Sequence, residues 1–222
     1  MLLKAESPKN YEAKTICCFV LDTSGSMGGD PIKELNKGLK EFHEEIRNDE
    51  TTAQRLEVAI ITFNSVIQIV QEPALIEDFN APNLSVSGST KLVDGVREAI
   101  TLVETRKQWY KQTGQQYLRP WIILITDGAP DPGQDIQGLA QEISDSVNNK
   151  SFVFFAVGVE GADMKVLQTI SAPPFTPCMM QGLKFSEFFQ WMSASMAAVS
   201  SSAEGDKVDL PNPNSWMNGF PI

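Results

Sequence analysis

The sequence predicts an α/β fold: a doubly wound, mainly parallel sheet of six strands, with one antiparallel strand and helices on both faces. Short apolar runs typical of buried strands alternate with segments whose apolar residues recur every three or four positions. Two of the apolar runs are separated by only a short turn, which permits an antiparallel hairpin but no crossover. A chain of 222 residues should form one domain, here over residues 13–201, with an N-terminal segment at 1–12 and an extended tail at 202–222.

The predicted strands are apolar runs rich in β-branched and aromatic residues, and most of them have no polar face. In chain order they occupy residues 15–21, 56–63, 66–70, 121–125, 151–159 and 178–180. The turn Asn64-Ser65 joins the second run to the third, and residues 72–87 are expected to form an irregular connection. Prolines before the last run indicate a strand at the edge of the sheet.

The predicted helices have one apolar face and one polar face. They occupy residues 32–46, 90–103, 136–147, 162–171 and 185–199. Asp30 is expected to be the N-cap of the first helix, with Pro31 at its first position, and Ser89 or Thr90 is expected to cap the second. The polar residues 106–119 are predicted to form a helix end and a loop.

Composition argues against several kinds of protein. A formal net charge of −10 does not suit a nucleic-acid-binding surface, which needs clustered Lys and Arg. The chain begins with a polar segment and contains no apolar run near the roughly 20 residues that span a bilayer, so we expect no membrane contact and a cytoplasmic location. The three cysteines, Cys17, Cys18 and Cys178, do not resemble a disulfide framework, and Cys17 and Cys18 are expected to be reduced core residues, because adjacent strand residues point to opposite faces.

Carboxylates and hydroxyls cluster just beyond the first and fourth predicted strands. Asp22, Ser24 and Ser26 follow the first strand, Asp127 follows the fourth, and Thr90 opens a helix after a glycine-containing loop. In a doubly wound sheet the carboxyl ends of such strands face one crevice at the switch point. Hard oxygen donors of this kind suit Mg²⁺, or Mn²⁺ or Ca²⁺, rather than zinc or copper. The sequence therefore predicts a divalent-cation site.

The segment Asp22-Thr23-Ser24-Gly25-Ser26 resembles the Asp-x-Ser-x-Ser signature of the von Willebrand factor A (vWA) family, also called integrin I-like domains. Thr90 and Asp127 match the remaining ligand positions of the metal-ion-dependent adhesion site of that family, which usually holds Mg²⁺. Within the family, residues 22–32 and 188–196 are most similar to compact bacterial proteins of the tellurite-resistance (TerY) type. The chain has Gly88-Ser89 where the family often has Gly-Gly before the threonine.

The resemblance implies an interaction module and not an enzyme. The protein would supply part of the coordination shell of the metal, and an Asp or Glu of a protein partner would complete it. The subgroup implies partners from a bacterial stress or tellurite-resistance system, among them a protein kinase and a phosphatase. No residue of the sequence identifies them.

Two alternatives use the same residues. A metal-dependent phosphohydrolase could use the same carboxylates, but it would need a general acid or base, and the one histidine, His43, lies beside the apolar face of a predicted helix. A purely structural domain could use the hydroxyls as helix caps, although this does not explain aspartates at two strand ends.

Overall fold

The computed structural model describes residues 8–203 and 206–217. The strands are β1 (Thr15–Asp22), β2 (Leu56–Phe63), β3 (Ile67–Leu75), β4 (Trp121–Thr126), β5 (Val153–Gly158) and β6 (Cys178–Met179). The helices are α1 (Asp30–Arg47), α2 (Glu50–Arg55), α3 (Leu92–Thr113), α4 (Ile136–Asn148), α5 (Met164–Ile170) and α6 (Phe185–Ser200).

The strands form one six-stranded sheet in the order β3-β2-β1-β4-β5-β6. All neighbouring pairs are parallel except β2 and β3, which form the predicted antiparallel hairpin. The chain winds outward from β1 to β3 on one side and then returns to add β4 on the other side of β1. The predicted fold class is confirmed, and the switch point of the sheet lies between the carboxyl ends of β1 and β4.

The core consists of two apolar layers, one on each face of the sheet. Phe19 and Cys17 of β1 pack in the layer covered by α1 and α6, whereas Cys18 and Val20 pack in the layer covered by α3, α4 and α5. Every residue of β1 is buried, as expected for a central strand with helices on both faces. Cys17 and Cys18 are buried free thiols, which confirms their predicted role in packing, and Cys178 is a buried free thiol as well.

Several element boundaries differ from the sequence prediction. The short helix α2 was not predicted, because it contains no periodic apolar face; Asp49 caps it by accepting a hydrogen bond from the amide of Thr52. Strand β3 continues through Pro73 to Leu75, where a connection was predicted, since an edge strand tolerates a residue without an N–H group.

Two helix starts and one helix end also differ. Helix α1 begins at Asp30 itself, with Gly29 at the N-cap in a left-handed conformation (φ 87°). Helix α3 has Lys91 as its N-cap, and not Ser89 or Thr90. The side chain of Lys91 makes no hydrogen bond to the first turn. The C-terminal end of α3 lies at Thr113, so part of the polar stretch 106–119 belongs to the helix.

The segment 206–217 folds back onto the domain. Trp216 is completely buried against Phe188 and Trp191, with ring centroids 4.9 and 5.3 Å away. The indole N–H of Trp191 donates to the carbonyl oxygen of Pro211 at 2.8 Å. Residues 1–7, 204–205 and 218–222 of the predicted terminal segments lie outside the described residues, and the domain boundaries at 13 and 201 stay predictions.

None of the described helices combines the length and the apolar character needed to cross a bilayer.

Close packing of α1 on α6 generates a first testable prediction. A Cβ atom on Gly38 of α1 would lie 2.4 Å from Cδ2 of Phe189 and 3.2 Å from the carbonyl oxygen of Phe185. Alanine favours helix by about 1 kcal/mol over glycine, but forcing an extra methyl group into a filled interface costs about 1–3 kcal/mol. We expect Gly38→Ala to lower the free energy of unfolding by about 1 kcal/mol, the cost of the clash less the gain in helix propensity, measured by urea denaturation.

The exposed Lys40→Ala on the same helix is the control and should change stability by less than about 0.5 kcal/mol. A Gly38→Ala protein as stable as the wild type would show that α6 can move away from α1 without loss.

Candidate functional site

Three loops meet at the carboxyl end of the sheet. They follow β1, β3 and β4, and their backbones bond to one another directly. The amide of Gly25 donates to the carbonyl oxygen of Gly88 at 3.1 Å, and the amide of Ser87 donates to the carbonyl oxygen of Thr23 at 2.9 Å. The amide of Asp131 donates to the carbonyl oxygen of Thr90 at 3.0 Å. These bonds fix the three loops relative to each other without help from a ligand.

The carboxylates and hydroxyls form a continuous hydrogen-bonded cluster. Asp22 Oδ1 accepts from the amide of Ser24 at 2.8 Å, and Asp22 Oδ2 accepts from the hydroxyl of Thr126 at 2.5 Å. The hydroxyl oxygens of Ser24 and Ser26 are 3.1 Å apart, and Ser26 donates to Asp127 Oδ1 at 2.8 Å. Side chains from the ends of β1 and β4 therefore share one space.

Thr90 completes the cluster, as the surroundings of Gly128 show. A Cβ atom on Gly128 would lie 3.5 Å from Thr90 Oγ1, 3.7 Å from Ser26 Oγ and 3.8 Å from Asp22 Oδ2. Oxygens from all three loops thus line the space beside Gly128, where no side chain intrudes. The structure brings together the five residues that the sequence singled out.

The two aspartates are buried. Asp22 is fully inaccessible and Asp127 is 6% exposed, whereas Ser26 faces solvent. Burial raises the pKa of Asp22 above its ordinary value of 3.8, and the charge of Asp127 adds to the rise, while bonds from Ser24 and Thr126 oppose it. Burial likewise raises the pKa of Asp127, against the bond from Ser26. No lysine or arginine is among the groups that shift either pKa.

A second buried carboxylate in the same protein is treated differently. Glu57 in β2 is 2% exposed, and its two oxygens accept hydrogen bonds of 2.7 Å from the guanidinium group of Arg106. The hydroxyl of Tyr110 donates to it as well, also at 2.7 Å. Buried carboxylates need such compensation, because desolvation of a charge is costly. Among the described residues, Asp22 and Asp127 receive hydrogen bonds but form no ion pair.

The oxygens of this cluster could hold a small hard cation. Carboxylate and hydroxyl oxygens, together with water, are the usual ligands of Mg²⁺ and Ca²⁺. A cation bound here would offset the negative charges of the two aspartates. Within residues 8–203 and 206–217, no group of three or more His, Cys, Asp or Glu side chains forms a metal cluster. A site here would combine two carboxylates with hydroxyls, as the sequence suggested.

Sequence analysis missed several residues that support the cluster. Asn64 donates to the hydroxyls of Thr23 and Ser87, both at 3.2 Å, and so connects the first two loops. The hydroxyl of Thr126 donates to the carboxylate of Asp22, and the side-chain amide of Gln134 donates to the carbonyl oxygen of Thr90. Thr126 could have been found, because it directly precedes Asp127 at the strand end, but no sequence pattern indicates Asn64 or Gln134.

Known proteins share this architecture. Residues 17–190 match the model of the von Willebrand factor type A domain. The pilus adhesin SpaC of Lactobacillus rhamnosus GG, in an open conformation, superimposes with a TM-score of 0.64 at 14% identity, covering 86% of this chain and 31% of that one. The vWF domain of the type V pili tip protein Mfa5 from Porphyromonas gingivalis gives 0.60 at 10% identity, with 88% and 99% covered.

Proximal thread matrix protein 1 of the mussel byssus gives a TM-score of 0.58 at 16% identity, covering 83% of this chain and 46% of that one. The chain therefore spans less than half the length of the mussel protein and of SpaC. Identities this low show a common fold alone. No curated protein matches the sequence.

Burial of the aspartates makes the stability of the metal-free protein depend on pH. A raised native pKa means that the folded state binds protons more tightly than the unfolded state, so the contribution of these two groups to stability is greatest below the ordinary value of 3.8 and falls as the pH rises through the native pKa. Asp22→Asn removes the charge of the more deeply buried carboxylate and can keep the hydrogen bond from Ser24. We expect this variant to be more stable than the wild type at pH 7 in EDTA, with a weaker dependence on pH, measured by urea denaturation.

Asp145→Asn, an equal change of charge on the exposed side of α4, should keep the wild-type dependence. If Asp22→Asn destabilised the metal-free protein at pH 7, the ionised carboxylate would be compensated by its hydrogen bonds alone.

Proposed function

The chain belongs to the von Willebrand factor type A domain family, and we propose that it is a Mg²⁺-dependent protein-interaction module. The observation that carries the proposal is the buried aspartate pair, which shares one space with three hydroxyls and forms no ion pair with a basic side chain of residues 8–203 and 206–217. SpaC is a pilus adhesin and Mfa5 a pilus tip protein, so domains of this fold occur in proteins that attach to others. Both points favour binding over a purely structural role.

Each of the five residues has a defined part in this site. Asp22 and Asp127 would contribute negative charge, and Ser24, Ser26 and Thr90 would contribute hydroxyl oxygens. Mg²⁺, when bound, supplies a concentrated positive charge that attracts an external carboxylate. Mn²⁺ and Ca²⁺ suit the same donors. The exposure of Ser26 marks the side of the cluster that is open to solvent, where a ligand from outside can approach.

The partner is proposed to present an Asp or Glu. A chain with a net charge of −10 repels acidic surfaces at long range, so an acidic ligand would depend on the local charge of the metal. A carboxylate bound to a cation in a partly buried site forms a strong, directional contact. Binding should therefore require the metal, and we expect chelation to abolish it.

The wider setting rests on the resemblance of residues 22–32 and 188–196 to the tellurite-resistance subgroup. We place the protein in the cytoplasm, in a bacterial stress or tellurite-resistance system, with a kinase and a phosphatase as candidate partners. Neither nucleic acid nor membrane is part of this proposal.

We expect no catalysis at the site. His43 lies on α1, about 20 Å along the helix from its start beside the cluster, and packs edge-on against Phe79 with ring centroids 5.3 Å apart. It is therefore remote from the aspartates and cannot serve as a general acid or base there. Turnover of a generic phosphoester that is lost in Asp22→Ala would favour the phosphohydrolase instead.

The metal site is tested by isothermal titration calorimetry with Mg²⁺. We expect the wild type to bind one ion, and Asp22→Ala and Asp127→Ala to bind it about 100-fold more weakly, because each loses a charged ligand. Asp145→Ala removes an exposed carboxylate and should bind as the wild type does. Equal affinities in all four proteins would refute the assignment.

Interaction is tested by capture of proteins from the native cell extract on the immobilised chain. Partners should be retained in Mg²⁺ and released by EDTA, and Asp127→Ala should retain none, while Asp145→Ala behaves as the wild type. Retention that persists in EDTA would place the interaction on another surface.

A further inference from the structure

Gln134 lies in the loop between β4 and α4 and bonds to the chain on both sides of Lys91. Its side-chain Nε2 donates to the carbonyl oxygen of Thr90 at 2.7 Å, and its Oε1 accepts from the amide of Val93 at 2.8 Å. A carbonyl oxygen can only accept and a backbone amide can only donate, so these two contacts determine how the side-chain amide is oriented. The side chain is well suited to hold this segment in place.

The first turn of α3 explains why this contact matters. The leading amides of a helix have no partner within it, and a Ser or Thr hydroxyl at the N-cap commonly serves them. Here the N-cap is Lys91, whose side chain does not bond to the turn. Gln134 serves the amide of Val93 from another loop. The hydroxyl of Thr90 is not used as a cap and instead lines the space beside Gly128.

We propose that Gln134 is a positioning residue that directs the Thr90 hydroxyl into the Mg²⁺ site, an inference that rests on the proposed function. Gln134 takes over the cap that a threonine before a helix would otherwise provide, and it anchors the backbone of Thr90 next to the hydroxyl. The loop that carries Asp127 thereby sets the position of Thr90.

Asp131 reinforces the same connection. Its amide donates to the carbonyl oxygen of Thr90 at 3.0 Å, and its Oδ1 accepts from the amide of Thr90 at 3.1 Å. Both backbone polar groups of Thr90 are thus held by the β4–α4 loop. Asp131 is charged, so its removal would also change the electrostatic attraction of a cation. Gln134 is neutral, so its replacement leaves the electrostatic attraction of a cation unchanged.

The test is a double-mutant cycle on the full chain, with Mg²⁺ alone as the titrant. We expect Gln134→Ala to weaken Mg²⁺ binding about 10-fold, a common effect of removing a group that orients a ligand. Thr90→Val, which keeps the shape but removes the hydroxyl, should weaken it about 10-fold or more. In the Thr90→Val background, Gln134→Ala should change the affinity by less than about 2-fold, because the hydroxyl that it positions is absent.

Gln137→Ala is the matched control, since it removes an exposed glutamine three residues along the same segment, and it should bind Mg²⁺ as the wild type does. Metal-free melting temperatures report the loss of the cap separately. A purely structural role would lower the melting temperature of Gln134→Ala while leaving the affinity for Mg²⁺ unchanged.

Gln134→Glu covers the case in which the alanine variant folds poorly. Glutamate keeps an acceptor for the amide of Val93 but cannot donate to Thr90. Its charge attracts Mg²⁺ in both backgrounds, so that attraction cancels in the coupling with Thr90→Val. We expect a coupling of about 10-fold here too.

Three results would overturn the inference. Wild-type affinity in Gln134→Ala, together with a loss in Thr90→Val, would leave the metal site standing and remove the positioning role. Additive losses in the cycle would show that Gln134 acts independently of Thr90. Wild-type affinity in both Thr90→Val and Asp127→Ala would refute the proposed function, and this inference with it.

Discussion

The arrangement of this end of the molecule depends on two carboxylates that are buried side by side and that pair with no basic side chain in the described part of the chain. Asp22 ends the central strand, and Asp127 follows the strand beside it, so the parallel pairing of β1 with β4 brings them together. Their mutual repulsion and their desolvation are only partly offset by the bonds from Ser24, Ser26 and Thr126. A cation that bound between them would relieve this repulsion. It would therefore bind more tightly and would stabilise the folded state.

Another buried carboxylate, in β2, does have a positively charged partner. Glu57, equally buried, has the guanidinium group of Arg106 and the hydroxyl of Tyr110 as partners. Arg106 itself lies over the ring of Trp109, at 4.0 Å from its centroid. The fold thus supplies this buried carboxylate with a cation of its own. For Asp22 and Asp127, we propose that the cation comes from solution.

Three loops together, and not one sequence motif, position the oxygens of the site. Backbone bonds join the loop after β1 to the loop before α3, and Asp131 and Gln134 join the latter to the loop after β4. The sheet and the two packed layers hold the ends of all three loops, so the bonds between the loops restrict their relative movement.

The sequence by itself determined the alternation of strands and helices, the single hairpin and the residues that meet at the switch point. Those features follow from local apolar periodicity and from the geometry of parallel strands, which place Asp22 and Asp127 at one edge. Only the tertiary structure decided that Gln134 caps α3 in place of Thr90 and that β3 runs through Pro73. Each of these depends on a contact between segments far apart in the chain, which no local pattern encodes.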